Sequence, residues 1–315
     1  MSQALHLSGW RYRALILSVL LAAAGYLGFS LWGGWAEVVR AAARVGVSGI
    51  GLALLLALAN YGLRFLRWQL YLGALDWRLA WRPSLRIYLA GFALTTTPGK
   101  AGEALRGVLL KPWGVPYAQS FAAFFSERLS DLCAVALLAL FGLGRHPDAR
   151  PLIVAGLVLV LVCLAALSQG RLLERLLAPL GGTSGRLATL TRQALWVLQA
   201  ARRCHRPGLL LAATLLGLLA WGAEALAFYG VLRGMGAQVP LAFALFVYAL
   251  AMLAGALSFM PGGLGGAEAV MVALLAWQGM AAADAIAATV LIRLATLWFA
   301  VGIGVLALSG SRAGR

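Results

Sequence analysis

Acidic residues are scarce in this chain. Ten Asp and Glu stand against 26 Lys and Arg, and only two of the basic residues are lysines. Charge of either sign is sparse, 11% of 315 residues, while 62% are hydrophobic. A water-soluble fold of this composition would have too little polar surface to cover itself, so the chain reads as an all-α polytopic membrane protein. Cysteine is almost missing: Cys133, Cys163 and Cys204 form neither a CxxC pair nor a secreted disulfide framework and read as packing residues. The three histidines, His6, His146 and His205, all fall outside the apolar runs. The run Gly46, Val47, Ser48, Gly49 matches the GxSG of intramembrane serine proteases, but no membrane histidine could activate its serine. HExxH, Walker and DxD patterns are also missing, so no metal, ATP or metal-dependent glycosyl-transfer signature is present. No cofactor is expected, and the chain is not expected to be an enzyme.

What is plentiful is arginine. A net charge of +16 on a soluble protein would suggest nucleic acid. Here the arginines gather in loops beside apolar runs, where they mark the cytoplasmic side and meet anionic lipid headgroups; nucleic acid is not an expected partner. Runs long enough to cross the bilayer occur at about 14–32, 47–72, 117–142, 150–168, 208–233 and 284–309. Two further apolar regions, about 83–112 and 240–279, are split by Pro-Gly breaks. The expectation is about six full spans plus two re-entrant hairpins in a single membrane domain, residues 1–315. Arg11 and Arg13 before the first run resemble a signal peptide's opening, yet the run reaches Leu31 and more spans follow, so an uncleaved helix is expected. The polar loop 171–206 carries seven arginines against Glu174 and should be cytoplasmic, which places both termini there too.

The two broken regions look like copies. The first reads Pro98, Gly99, Lys100, Ala101, Gly102, Glu103; the second Pro261, Gly262, Gly263, Leu264, Gly265, Gly266, Ala267, Glu268. An arginine follows each glutamate by 25 residues, Arg128 and Arg293. Residues 117–142 align with 282–307 at a constant offset of 165, and before the prolines an offset of 163 pairs Tyr61 with Glu224. Loops flanking the first hairpin hold Arg78, Arg82 and Lys111, whereas 234–239 and 279–283 hold no lysine or arginine. This asymmetry predicts an inverted repeat of helix, broken hairpin and helix, about 47–142 and 208–309, an arrangement that points to a transporter site.

Candidate site residues follow from the breaks. The helix starting near Ala101 offers unpaired amides suited to a phosphate, with Lys100 and Arg106 adding charge; a structural kink with snorkelling charges is the alternative. Glu127 and Asp131 share a helix face with Arg128 roughly 100° round it, and the three must pair or line a wet cavity; a structural ion pair to Arg106 or Arg64 is the alternative. In the second copy Gly262, Gly263, Gly265 and Gly266 permit close approach before Glu268, with Arg293 beyond, although such glycines also serve as packing notches. Glu224, mid-span, is a candidate proton site. Arg64 and Arg67 close the second span, read there as interface anchors touching lipid phosphate.

PGKAGEALR at Pro98–Arg106, SERLSD at Ser126–Asp131 and PGGLGGAE at Pro261–Glu268, with LRFLRW at Leu63–Trp68, resemble the transmembrane region of lysylphosphatidylglycerol synthases, the flippase-like family. The likeness covers roughly residues 10–310. It implies lipid movement across the bacterial cytoplasmic membrane, with membrane lipids bearing an anionic headgroup as partners. The aminoacyl-transferase domain of the fused synthases has no counterpart in this sequence, so synthesis of lysyl lipid is not expected and the headgroup stays open. Two other readings remain: a scaffold holding a biosynthetic enzyme through loop 171–206, and a membrane-embedded headgroup transferase.

Overall fold

The computed structural model describes residues 25, 28, 34–97, 105–142, 150–168, 175, 186–258 and 263–309. Every regular element among the described residues is helical. In a chain this apolar, helices satisfy all their backbone polar groups within the segment, which hydrocarbon demands. Helix α1 is Trp35–Ala74, broken at Gly46, whose φ of 72° only glycine adopts readily. Helix α2, Trp81–Ala90, passes into a 3-10 turn, Gly91–Leu94; α3 is Leu105–Leu110 and α4 is Tyr117–Ala139. Then come α5, Arg150–Ser168, and α6, Arg186–Cys204. Helix α7 is Pro207–Gly234, α8 Leu241–Leu257, α9 Gly266–Trp277 and α10 Ala282–Arg293; α10 runs through a π-helical turn, Leu294–Trp298, into α11, Phe299–Ser309.

Among the described residues, three stretches are long and apolar enough to cross a membrane: α1, α7 and the continuous α10–α11. Helix α4 has the length, 23 residues, but carries Glu127, Arg128 and Asp131. The run expected at 14–32 falls outside the described residues except for Gly25 and Gly28. Helices α8 and α9, 17 and 12 residues, are shorter than the ~20-residue crossing. Loop 171–206 is only partly a loop, because α6 packs Ala200, Ala201 and Cys204 into the core beside α4.

Element order repeats: a long helix, a shorter broken pair, a long helix. The leading members, α1 and α7, pack antiparallel. Gly234 at the end of α7 approaches Val45 near the start of α1, and the Asn60 side-chain amide donates to the Ala220 carbonyl at 2.9 Å. Alanine and glycine line the crossings, which lets backbones approach where no hydrophobic drive separates helix from lipid. The closest such approach joins the two halves: a Cβ on Gly304 of α11 would fall on the Ala93 backbone in the 3-10 turn. The broken element of the first half is thereby seated against the last helix of the second.

Candidate functional site

A cavity of about 380 Å³ opens where the halves meet. Helices α1 and α4 contribute Tyr61, Arg64, Arg128 and Asp131; α7, α8 and α10 contribute Glu224, Tyr248 and Arg293. Leu129, Val135, Leu159, Met252 and Leu257 make the remaining wall largely apolar. Tyr61 and Glu224, matched by the 163-residue offset, both face this space, as do Arg128 and Arg293, matched by 165. The offsets read from the sequence thus pair positions that line one cavity.

Asp131 is the hub on the first side. Its carboxylate lies 2.6 Å from Arg67 Nη2, 3.0 Å from Arg128 Nη2 and 3.5 Å from Arg64 Nη2, and it accepts the Trp221 indole N–H at 3.0 Å. Arg64 and Arg67 are one turn apart on α1, so both reach across to α4. Arg64 also stacks between Phe92 and Trp221, 5.7 and 5.6 Å from their ring centroids. Isolated charges at this depth would cost several kcal/mol each; converging on one carboxylate and flat rings offsets that cost. Arginine suits the task better than lysine because its planar, weakly hydrated head pairs and stacks at once.

On the second side Glu268 bridges two elements. One oxygen takes Arg293 Nε at 2.6 Å, the other the Gly265 backbone N–H at 2.6 Å, with both charged side chains 4% exposed. Gly265 sits at φ 85°, which turns the chain into α9 and aims that amide at the carboxylate. The start of α9 thus has a fixed anion of its own. Nearby, Tyr248 donates its hydroxyl to Glu224 at 2.6 Å. The π-helical turn begins right after Arg293, and the Tyr61 hydroxyl donates to the Thr296 carbonyl within it. Such turns commonly accompany functional sites.

The family profile of the lysylphosphatidylglycerol synthase TM region matches residues 15–304. The chain belongs to that family. Similar proteins include two UPF0104 membrane proteins of archaea. One, from Methanothermobacter thermautotrophicus, is 25% identical over 312 residues, covering 93% of this chain and 91% of the relative. The other, from Pyrococcus horikoshii, is 23% identical, covering 87% and 90%. This protein is therefore a membrane protein of the lysylphosphatidylglycerol synthase TM region family, as the PGKAGEALR, SERLSD and PGGLGGAE stretches had suggested.

Of the residues expected at the site in this family member, Arg128, Asp131, Glu224, Gly263 and Arg293 line the large cavity. Glu268 is held behind it by Arg293, and Gly265 and Gly266 form the turn into α9. Arg106 and Glu127 are brought together at 2.7 Å, but beside a second, smaller cavity of about 150 Å³. Both ion-pair alternatives are realised: Glu127 pairs with Arg106, and Asp131 with Arg64. Pro98, Gly99, Lys100, Gly102, Glu103, Pro261 and Gly262 lie outside the described residues. The interface-anchor reading of Arg64 and Arg67 is corrected, since they are 7% and 0% exposed and bind Asp131 inside the protein. Tyr61, Trp221 and Tyr248 went unnoticed as site residues. A polar-tipped aromatic in an apolar span is a faint signal, because its ring packs like any other. Among the described residues no group of three or more His, Cys, Asp and Glu could hold a metal.

Proposed function

We propose that this protein moves lipids across the cytoplasmic membrane, as a flippase or scramblase, through the cavity between its halves. The observation that carries the reading is the pairing of chemistries in one space: guanidiniums of Arg64, Arg128 and Arg293 on a floor otherwise mostly apolar. A lipid has the matching division, with an anionic phosphate for the arginines and acyl or prenyl chains that stay in the bilayer. The bound carboxylates Asp131 and Glu268 neutralise two of these arginines while the site is empty and yield them to the phosphate when it arrives. Glu224, hydrogen-bonded to Tyr248, is the group that exchanges protons.

The antiparallel α1 and α7 support an inverted repeat, in which α8 and α9 enter and leave on one side and the first broken pair does so on the other. With six spans and two such hairpins, both termini face the cytoplasm of a bacterial inner membrane. An anionic phospholipid, a glycolipid or a polyprenyl-phosphate-linked lipid fits this description equally well.

The test measures headgroup accessibility of fluorescent phospholipids and a polyprenyl phosphate in liposomes holding the purified protein, with and without a proton gradient. Movement should depend on the protein and vanish in Arg128→Ala at normal expression. An Arg128→Ala protein that transports at the wild-type rate would remove the arginines from the mechanism. A second reading has one observation in its favour: α6 exposes Leu190 and Trp196 beside Arg192, a surface on which a biosynthetic enzyme could dock. Because α6 also packs into the core, Leu190→Ser with Trp196→Ser is the cleaner probe than deleting 171–206. Lost co-purification of that enzyme with transport intact would assign the face to the partner.

A further inference from the structure

We propose that the smaller cavity is a second site that takes a neutral hydroxyl donor, either water or the hydroxyl of a polyol headgroup, from the arginine-rich end of the bundle. It is about 150 Å³ and is lined by Trp68, Arg106, Ser120, Phe124 and Glu127. Glu127 is wholly buried, and one of its oxygens takes Arg106 Nη1 at 2.7 Å. Its other oxygen, Oε1, and the buried hydroxyl of Ser120 have no hydrogen-bond partner among the described residues. Buried polar atoms of native proteins are almost always satisfied, by protein, water or ligand. The space exceeds the ~10–15 Å³ that one water centre needs, so several waters or a small polyol can fill it.

The charges decide the class of occupant. A cation drawn to Glu127 would meet the Arg106 guanidinium on the same carboxylate, and a phosphate drawn to Arg106 would meet the carboxylate. A neutral hydroxyl can donate to Oε1 and exchange hydrogen bonds with Ser120 without either penalty. Tyr117 and Phe121, both about half exposed, frame the mouth. They lie toward the end of α4 where Trp77 hydrogen-bonds Gln119, the end that also carries the Arg203–Asp76 pair. Glu127 precedes Asp131 by four residues, about 6 Å along the helix, so this site and the transport cavity occupy successive turns of α4. The proposal does not rest on lipid transport, because a protein that moves no lipid must still satisfy these two atoms.

The test uses single cysteines in a background with Cys133, Cys163 and Cys204 replaced by alanine, reconstituted in vesicles and exposed to a membrane-impermeant thiol reagent from one side at a time. Arg203→Cys marks the basic end and Val47→Cys the opposite one; each variant is checked for folding by size-exclusion chromatography. Ser120→Cys should lose its free thiol from the Arg203→Cys side, while the core control Leu138→Cys keeps its thiol. Slower modification in phosphatidylglycerol than in phosphatidylcholine vesicles assigns the occupant to the headgroup hydroxyl; equal rates assign it to water. No modification of Ser120→Cys from either side, with Tyr117→Cys at the mouth reacting, overturns the proposal. Modification only from the Val47→Cys side overturns it as well.

Discussion

Arg293→Met should strand Glu268 in the interior. Both side chains are 4% exposed and meet at 2.6 Å, and the Gly265 amide holds the second carboxylate oxygen at 2.6 Å. Removing one partner of so dry a pair costs about 3–5 kcal/mol, which is roughly two to three and a half orders of magnitude in the folding equilibrium. Glu268→Gln strands the guanidinium in the same way and should cost a similar amount. The double variant leaves neither charge and keeps a side-chain amide oxygen to accept from Gly265, so its cost should fall well short of the sum. A coupling energy of about 3 kcal/mol is expected from the cycle. Unfolding midpoints in mixed micelles titrated with denaturing detergent, extrapolated linearly, supply the four free energies. A coupling below about 0.5 kcal/mol, the additivity error for unconnected sites, would refute a desolvated pair. Transport by the double variant is a separate readout: restored stability with lost movement makes Arg293 a binding residue, and restored movement makes the pair purely architectural.

Three further outcomes are expected. Gly304→Ala would drive a methyl onto the Ala93 amide, with Phe92 carbonyl carbon at 2.7 Å and Ala93 Cα at 2.8 Å; since backbone cannot step aside, destabilisation of about 3 kcal/mol should follow, and an unchanged melting temperature would contradict the close crossing. Arg67→Met should cost less than Arg293→Met, about 1–3 kcal/mol by the same detergent titration, because Asp131 keeps Arg128 and the Trp221 N–H. His205, outside the spans, is pushed below its ordinary 6.5 by burial, with Nδ1 donating to the Ala201 carbonyl at 2.8 Å. The folded protein therefore binds fewer protons here than the unfolded one: this contribution is whole above pH 6.5 and shrinks as pH falls toward the depressed value. His205→Gln should flatten that slope in thermal melts across the acid range, and an unaltered slope would reject the assignment.

The architecture was largely legible because few signals compete in a chain with so little charge. Apolar run length located most helices, and the glutamate-to-arginine spacing of 25 residues singled out Glu268 and Arg293, which the structure brings into contact. The interface-anchor reading of Arg64 and Arg67 failed, although Arg64 had also been weighed as an ion-pair partner, because span ends and buried clusters look alike in one dimension. Their depth is set by α4, 64 residues away from Arg67 at Asp131, and no local pattern reports on that. The division of Glu127 and Asp131 between two cavities was equally hidden. A shared helix face fixes direction but not which neighbours cover each turn, and Arg106 on α3 claims the first carboxylate while α1 claims the second. The kink at Gly46, which extends α1 back to Trp35, escaped hydropathy because Trp35–Val45 interleaves charge with core-facing Val38 and Ala41.

The π-helical turn Leu294–Trp298 separates two residues with opposite obligations: Arg293 must point at Glu268, and Gly304 must point at the Ala93 backbone. Each residue added to or taken from a helix rotates everything beyond it by about 100°. A π turn takes in one residue more than an α turn, so Leu294–Trp298 sets the rotation between α10 and α11 and thereby which face of α11 carries Gly304 to the Ala93 backbone. One residue gained or lost between Arg293 and Gly304 with the π turn kept would rotate Gly304 about 100° away from the Ala93 backbone and bring a side chain against it instead.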